Sequence, residues 1–311
     1  MKPKIAYTWS QSIVCGGTIV PAIHVKLLRK AGFDANIYAD DRNSVLEEYA
    51  GVEIRPRSEL EELTEDDILV NVWWMTAEEE KKLKPKRKFQ LIQGNDAFQY
   101  ESVELKENVL SARNDKSWNL IAVSKYAGEW TGRPFNLVPN GVHERFLKQD
   151  WPDERDIDVL IEGNDEPNKN IDLAIKIAKS TGAKRIVWLG RETHYIDGVE
   201  CITNPPQEKI PELYARSKVF LKLSKSEGFC LPILEAMACG AIVVTWPMGG
   251  NDFCVDKVNC MNQSNPELLA AFVESITNGV LECEEIRKAA RRTAESYSWD
   301  NIVKLLLALF S

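Results

Sequence analysis

Short apolar runs alternate with amphipathic or polar segments through the first half of the chain. The runs that predict β-strands lie at residues 4–8, 35–38, 67–73 and 89–93. Between the first two, the apolar positions from Ile19 to Lys30 follow the period of a helix, and Gly32 is placed to end it. Because strands that alternate with helices form parallel sheets, the first half is predicted to be a parallel α/β domain.

The same alternation continues in the second half. Predicted strands lie at residues 159–162, 185–190, 219–223 and from 241 onward, and predicted helices lie from 267, over 286–297 and over 302–310. A further helix opens at Pro232, since proline suits a first helical turn whose N–H groups have no partner, and Gly240 suits the position just past its end. The second half is therefore predicted to be a second α/β domain.

The length of 311 residues exceeds what one hydrophobic core usually holds, so two domains of about 150 residues are expected. The segment from Lys148 to Arg155 is polar and contains a proline, which makes it the best linker candidate. We predict a first domain at residues 1–148, a second at 149–296 and a terminal helix at 297–311.

Composition narrows the class of protein. A hydrophobic fraction of 44% is ordinary for a globular chain, and no run approaches the roughly 18 apolar residues that span a bilayer. The N-terminal stretch lacks the apolar core of a signal peptide, so a cytoplasmic location is expected. Seven cysteines without a C-x-x-C pair favour free thiols over disulfides or a zinc site. A net charge of −8 argues against general nucleic-acid binding.

The loop between the predicted strand at 219–223 and the helix at Pro232 carries candidate chemistry. Gly228 would let a ligand approach the backbone closely. The backbone amides that would point out of the helix N-terminus are those of Phe229, Cys230 and Leu231. Amides in this position form an anion site, and a phosphate is the typical ligand.

Two glutamates flank this predicted anion site. A carboxylate does not favour a phosphate, so Glu227 and Glu235 are expected to accept hydrogen bonds from ligand hydroxyls. A ligand with a central diphosphate and a sugar ring at each end, which is a nucleotide sugar, would satisfy both. The alternative is an ordinary crossover helix with two solvent-facing glutamates.

The segment from Ser224 to Gly240 resembles the signature of the family 4 glycosyltransferases, which are retaining enzymes of the GT-B fold. That signature places two glutamates in S-x-x-E-G-F-x-L-P-x-L-E-A-M-A-x-G. The resemblance implies that Glu227 contacts the donor sugar and Glu235 the nucleotide ribose. It also implies two doubly wound Rossmann-like α/β domains that face across a cleft, with the donor bound mainly by the second and the last helix crossing back to the first.

Residues 159–175 resemble the family segment G-R-x-x-x-x-K-G, with Gly163 and Lys169 in register. A lysine taken alone would more often be a surface residue, but this register favours a role in which Lys169 neutralises the donor diphosphate. Asn164 stands where an arginine is usual. Arg191, which follows the next predicted strand, is the candidate for the second cation.

Two candidates lie in the first half. Gly16 and Gly17 stand at the entrance to the first helix, where the residues alone favour a tight turn and the resemblance places a loop facing the donor diphosphate. Family members commonly carry a histidine or an acidic cluster near the reacting sugar after the strand at 89–93, and the candidates here are Gln93, Asn95 and Asp96. Asp96 would bind the acceptor hydroxyl or cap the next segment.

Two charged stretches remain open. Lys81 to Lys88 holds six basic residues in eight and would dock anionic lipid head groups in a peripheral membrane contact, or form a solvated loop. Asp156 and Asp158 spell a D-x-D, but they stand before a predicted strand rather than after it, so we expect no metal site.

The expected reaction is transfer of a hexosyl group from a nucleotide diphosphate sugar to a hydroxyl acceptor with retention, without cofactor or metal. Lys169 and the predicted amide site would hold the departing diphosphate, and no protein nucleophile is evident. One alternative is a sugar-nucleotide epimerase of similar fold. Another is a non-catalytic subunit that binds a nucleotide sugar.

Overall fold

The computed structural model describes residues 3–311, apart from the side chains at 98 and 99. The chain forms two compact units. Unit 1 runs through Asn140 and also includes Ile302–Ser311, and unit 2 is Gly141–Asn301. The predicted linker at 148–155 therefore lies inside unit 2. It is held there by Trp151, whose Nε1 donates to the carbonyl of Ala238 at 3.1 Å.

Unit 1 is built on a sheet of seven parallel strands. In chain order these are β1 (Lys4–Thr8), β2 (Asp34–Ala39), β3 (Arg55–Pro56), β4 (Ile68–Asn71), β5 (Arg87–Ile92), β6 (Asn119–Ala122) and β7 (Asn136–Leu137). Their order across the sheet is β3-β2-β1-β4-β5-β6-β7. The order reverses between β1 and β4, so loops that leave these two neighbours diverge to opposite faces of the sheet. Such reversal points are where open α/β sheets bind ligands.

The helices that connect these strands are α1 (Gly16–Lys30), α2 (Ser44–Ala50), α3 (Ala77–Glu80), α4 (Val103–Asn114) and α5 (Lys125–Glu129). Helix α1 begins three residues before the predicted start at Ile19. Pro21 lies inside it and has no N–H for the carbonyl four residues earlier, at Gly17. The side chain of Gln93 supplies that hydrogen bond, with Nε2 at 2.8 Å from the Gly17 carbonyl oxygen.

Unit 2 contains a second parallel sheet, of six strands. These are β8 (Ile157–Glu162), β9 (Ile186–Gly190), β10 (Val199–Thr203), β11 (Ser217–Lys222), β12 (Ile242–Thr245) and β13 (Met261–Asn262), arranged as β10-β9-β8-β11-β12-β13. Here the order reverses between β8 and β11. Alternate residues of the central strands enter different cores, since Leu160 and Phe220 pack on one face and Val159 and Val219 on the other. A sheet covered on both faces explains why its strands are continuous apolar runs.

The helices of unit 2 are α6 (Glu144–Leu147), α7 (Ile171–Ser180), α8 (Ile210–Ala215), α9 (Leu231–Ala238), α10 (Pro266–Thr277) and α11 (Glu284–Ser296). Helix α9 has proline in its first turn, and Gly240 has a φ of +78° just past its end, as the sequence predicts. Within residues 3–311, no helix has the length and apolar character needed to cross a bilayer. All seven cysteines are free thiols.

The last helix, α12 (Trp299–Phe310), begins in unit 2 and belongs to unit 1 from Ile302 onward. Its final residue, Phe310, is fully buried and meets Phe89 edge to face with the ring centroids 5.6 Å apart. Arg87 donates to the carbonyls of Leu309 and Phe310, at 2.7 and 3.3 Å. These bonds satisfy carbonyls that a helix end leaves without intrahelical partners.

We predict that Phe310→Ala destabilises unit 1 by about 3–5 kcal/mol, because it removes a buried aromatic side chain and leaves a cavity beside Phe89. Leu305→Ala on the same helix is the matched control, since Leu305 is 43% exposed. Its free energy of unfolding should change by no more than about 0.5 kcal/mol. Urea unfolding followed by circular dichroism measures both, and equal losses would contradict the assignment.

Candidate functional site

A pocket of about 440 Å³ opens in unit 2 at the carboxyl ends of β8 and β9. Four residues predicted from the sequence line it, namely Asn164, Lys169, Arg191 and Glu235. Glu162, Asn204, Gln207 and Tyr214 are among the other lining residues. The pocket lies beside the point where the strand order of this sheet reverses, which is the expected ligand position in a doubly wound sheet.

Gly163 brings the loop after β8 close to Lys169. Its φ of +147° is a conformation that side-chain-bearing residues rarely adopt. A Cβ at this position would stand 3.2 Å from the Cβ of Lys169 and 3.1 Å from the Cδ1 of Ile171. Gly163 therefore serves the packing of the Lys169 loop, in addition to any contact with a ligand.

Lys169 forms an ion pair with Glu227, with Nζ at 3.0 and 3.1 Å from the two carboxylate oxygens. Their loops are joined by Asn168, which donates its side-chain amide to the carbonyl of Ser226 at 2.8 Å. Burial alone would raise the pKa of Glu227, but the ammonium groups of Lys222 and Lys169 outweigh it and hold the pKa below its usual value. Glu227 is thus an ionised carboxylate at neutral pH.

Two charged residues at the pocket were missed in the sequence analysis, namely Glu162, which lines it, and Lys222, which lies behind it. Lys222, the last residue of β11, is 2% exposed, and its Nζ lies 2.6 Å from Glu162 Oε2 and 3.5 Å from Glu227 Oε1. Burial by itself would lower the pKa of Lys222, but Glu162 opposes it most strongly and the pKa is raised. The available signal was a lysine inside the apolar run at residues 219–223. Such a residue is almost never buried without a partner.

Glu235 lies on α9 and is half-buried at the wall of the pocket. Burial raises its pKa to about 8, the nearby Glu162 carboxylate adds to the rise, and Arg145 opposes it. A carboxyl group in this environment gains from hydrogen bonds to hydroxyl groups, because they stabilise its charged form.

The predicted amide site is formed only in part, which corrects the sequence analysis. The amide of Cys230 donates to the carbonyl of Gly250 at 2.8 Å, and the amide of Leu231 donates to the carbonyl of Phe229 at 2.9 Å. The turn before α9 thus uses these two donors internally. Within the described part of the chain, Phe229 is the member of the predicted trio whose amide has no such hydrogen bond.

A glycine pair holds the loop that contains Glu227. The amide of Glu227 donates to the carbonyl of Gly249 at 3.1 Å. Gly250 has a φ of +80°, and a Cβ there would lie 2.3 Å from the carbonyl oxygen of Glu227. Only glycine fits this contact, so Gly250 fixes the backbone on which the predicted sugar-binding carboxylate stands.

A separate pocket of about 380 Å³ lies in unit 1, at the carboxyl ends of β4 and β5. It is lined by Gly17 and Asp96, which were predicted, together with Trp73, Trp74 and Tyr100, which were not. The indole Nε1 of Trp74 lies 3.3 Å from the hydroxyl oxygen of Tyr100, and their rings meet edge to face. Gly16 is the first residue of α1 and does not line this pocket.

Asp96 forms an ion pair with Arg113, whose Nε lies 3.0 Å from its carboxylate. Arg113 is buried and also donates to the side-chain carbonyl of Gln90 at 3.3 Å. Asp96 does not cap the following turn, because Asn95 occupies the N-cap position. The capping alternative from the sequence analysis is therefore wrong, and the carboxylate is instead oriented by a buried arginine.

The basic stretch at residues 81–88 makes its contacts within unit 1. Lys81 pairs with Glu78 and Asp115, and Lys86 pairs with Glu65. Further hydrogen bonds to backbone carbonyls are made by Lys84, Arg87 and Lys88. This arrangement favours the interpretation of the stretch as an internally neutralised loop.

The D-x-D segment is occupied by ion pairs. Asp156 is bonded by Arg185 and Arg216, and Asp158 accepts from Lys218 at 2.7 Å. Among residues 3–311, no group of three or more His, Cys, Asp or Glu side chains is placed to hold a metal ion. That the chain acts without a metal ion stays a prediction.

Solved structures share this architecture over nearly the whole chain. The complex of Anabaena Alr3699/HepE with UDP and glucose matches with a TM-score of 0.82 at 14% identity, over 99% of each chain. Sucrose-phosphate synthase from Thermosynechococcus elongatus matches with a TM-score of 0.78 at 15% identity, over 99% of this chain and 98% of its own. The fold is that of the GT-B glycosyltransferases, with two Rossmann-like α/β domains, and the predicted fold class is confirmed.

Sequence comparison gives a more specific match for the second half. Residues 143–293 match the family model described as glycosyl transferases group 1. The D-inositol 3-phosphate glycosyltransferase of Acidothermus cellulolyticus is 27% identical over 136 residues, which are 43% of this chain and 30% of the relative. The enzyme of the same name from Salinispora tropica is 32% identical over 111 residues, 34% of this chain and 23% of its own. The chain spans about half the length, or less, of the curated relatives it matches.

We expect Gly250→Ala to lower the stability of unit 2 by about 3 kcal/mol or more, because the new methyl group would overlap the carbonyl of Glu227. Gly198→Ala is the matched control, since Gly198 also has a positive φ, of +70°, but a Cβ there meets nothing within 4 Å. That variant should lose about 1 kcal/mol from backbone strain alone. Thermal unfolding measures the difference, and similar losses in both variants would refute the clash.

The raised pKa of Glu235 has a consequence for stability. Its carboxyl group resists ionisation in the folded state, so the wild type should lose stability as pH rises from the ordinary value of 4.5 to about 8. Glu235→Gln removes this penalty. The Tm of the variant should therefore equal that of the wild type near pH 4.5 and exceed it by roughly 2–4 °C above pH 8.

Calorimetry of both proteins across this pH range tests the prediction. Glu274→Gln on α10 controls for the loss of one negative charge. A Tm difference between Glu235→Gln and the wild type that does not grow with pH would show that Glu235 ionises without cost.

Proposed function

We propose that this chain is a retaining glycosyltransferase that moves a hexosyl group from a nucleotide diphosphate sugar to a hydroxyl acceptor, without a metal ion. The observation that carries the proposal is the unit 2 pocket. Its wall holds a cation, Lys169, and a carboxyl group, Glu235, while Glu227 is ion-paired to that cation, so two carboxyl groups can accept hydrogen bonds from sugar hydroxyls. The match of this half to group 1 glycosyl transferases and the UDP in a structure of the same fold support the choice of donor.

Each residue of this site has a role in the proposal. The side chain of Lys169 holds the diphosphate and stabilises the negative charge that develops as it leaves the sugar. Glu235 accepts hydrogen bonds from the ribose hydroxyls, and Glu227 accepts them from the transferred sugar. Arg191 is the second cation at the pocket wall, and Asn164 contributes an amide in place of a charge.

The departing diphosphate oxygen is the proposed acceptor of the proton from the attacking hydroxyl. In this route the acceptor attacks from the face that the diphosphate leaves, so the anomeric configuration is retained without a protein nucleophile. Lys169 lowers the barrier because its charge is already in place when the bond breaks.

We place the acceptor in the unit 1 pocket. Asp96 offers a carboxylate oriented by Arg113, and Trp73, Trp74 and Tyr100 offer aromatic surface for the apolar face of a ring. Asp96 would accept a hydrogen bond from a second hydroxyl of the acceptor and so orient it, because the attacking hydroxyl gives its one proton to the departing diphosphate. The proposal also keeps the role that the family resemblance implies for Gly16 and Gly17, which is to form a loop facing the donor diphosphate.

A donor screen followed by a transfer assay tests the function. We expect one of UDP, GDP or ADP to raise the Tm of the protein by mass action, and the matching nucleotide sugar to release its nucleotide faster when acceptor alcohols and glycans are added. Lys169→Met should lower kcat by roughly a hundredfold, because a fixed charge beside the leaving group is lost. Lys176→Met on the exposed face of α7 is the control and should leave kcat unchanged.

The alternatives give different outcomes. Nucleotide release that does not respond to any acceptor would favour a sugar-nucleotide epimerase. Binding without turnover, equal in the wild type and in Lys169→Met, would favour a non-catalytic subunit. A wild type that binds none of the three nucleotides would refute the proposed function.

A further inference from the structure

Four side chains form a continuous line of alternating charge at the carboxyl ends of β8 and β11. The order is Glu162, Lys222, Glu227 and Lys169, and neighbouring charged atoms lie 2.6, 3.5 and 3.0 Å apart. The first and last members line the unit 2 pocket. The proposed function uses Lys169 and Glu227 but assigns nothing to the buried lysine between the two glutamates.

Lys222 is built into the protein interior. It is 2% exposed, and its Nζ also donates to the backbone carbonyl of Glu162 at 3.0 Å. A lysine with these partners cannot reach a ligand in the pocket without breaking a buried ion pair, which is costly. Lys222 therefore acts through its neighbours and is not a ligand-binding residue.

The side chain of Lys169 is more exposed than that of Lys222 and is held by fewer partners. Its side chain is 22% exposed, and Glu227 is its ion-pair partner within the described part of the chain. A diphosphate that enters the pocket competes with Glu227 for this ammonium group. If Lys169 were the sole counter-ion of Glu227, its transfer to the ligand would leave a mostly buried carboxylate unpaired, which is strongly unfavourable.

We propose that Lys222 is a positioning residue that serves as the permanent counter-ion of Glu227 and thereby frees Lys169 to bind the diphosphate. This inference rests on the proposed function. Glu227 is shared by two lysines in the structure, and one of them stays with it when the other moves to the ligand. Glu162 anchors Lys222 in the position from which it reaches Glu227.

The chain contains a matched pair for comparison. Lys218 and Asp158 lie four residues earlier on the same two strands, and they form an ion pair at 2.7 Å. Neither residue lines the pocket or contacts Glu227. Removing this pair takes one positive and one negative charge from the same strands and leaves all four side chains of the charged line unchanged.

The test measures the affinity for the nucleoside diphosphate, among UDP, GDP and ADP, that the wild type binds most tightly. In Lys222→Met with Glu162→Gln, both charges of the buried pair are removed together, so no unpaired charge remains between them and the fold should persist. Isothermal titration calorimetry should show a Kd higher by about tenfold or more, since Lys169 is now held by Glu227. Adding Glu227→Gln to this variant should restore the Kd to within about threefold of the wild type.

The control, Lys218→Met with Asp158→Asn, should keep the Kd of the wild type. An unchanged Kd in Lys222→Met with Glu162→Gln, or no recovery on adding Glu227→Gln, would overturn the inference while leaving the proposed function intact. Failure of the wild type to bind any of the three nucleotides would overturn the proposed function itself.

A structure of the wild type with the bound nucleoside diphosphate gives a test that does not depend on variants. Lys169 Nζ should lie within hydrogen-bond distance of a phosphate oxygen and beyond ion-pair distance from Glu227. Lys222 should remain ion-paired with both Glu162 and Glu227. Lys169 still paired with Glu227 in that complex would refute the inference.

Discussion

The main constraint on this protein is the pairing of charges that are taken out of water at the carboxyl ends of β8 and β11. A parallel sheet covered on both faces gives its central strands an apolar environment, and an isolated charge there would be very unfavourable. Glu162, Lys222 and Glu227 are tolerated because each contacts an opposite charge within 3.5 Å. With the more exposed Lys169, these groups carry no net charge and form a floor at the pocket.

The backbone around this floor is set by residues that carry no charge. Gly250 permits a contact too close for a side chain, Gly163 adopts a φ of +147° that other residues rarely adopt, and Asn168 ties the loop of Lys169 to the loop of Glu227. The geometry of the charged groups therefore depends on three loops that leave different strands. The fold holds the backbone of such a site in place, so a ligand has to move the side chain of Lys169 but does not have to order the loops, which favours binding.

The sequence predicted the parallel α/β class, the strand before the Ser224 to Gly240 signature, the helix within it, and four of the residues that line the unit 2 pocket. These predictions hold because they depend on local hydrophobic periodicity and on motifs that lie within short continuous segments of the chain. Lys222 and Glu162 were missed because their pairing depends on the register between β8 and β11, which are about 60 residues apart in the chain. The internal use of the Cys230 amide was missed for the same reason, since its partner, Gly250, lies on a different loop.

Most of the edge strands of the two sheets are short. In unit 1 both outermost strands, β3 and β7, are two residues long, and in unit 2 β13 is equally short. A short outermost strand exposes few unpaired backbone groups, and Pro56 removes one more donor from β3. Three of the four outermost strands thus offer little template for pairing with another chain, and β10, with five residues, is the longest outermost strand of the two sheets.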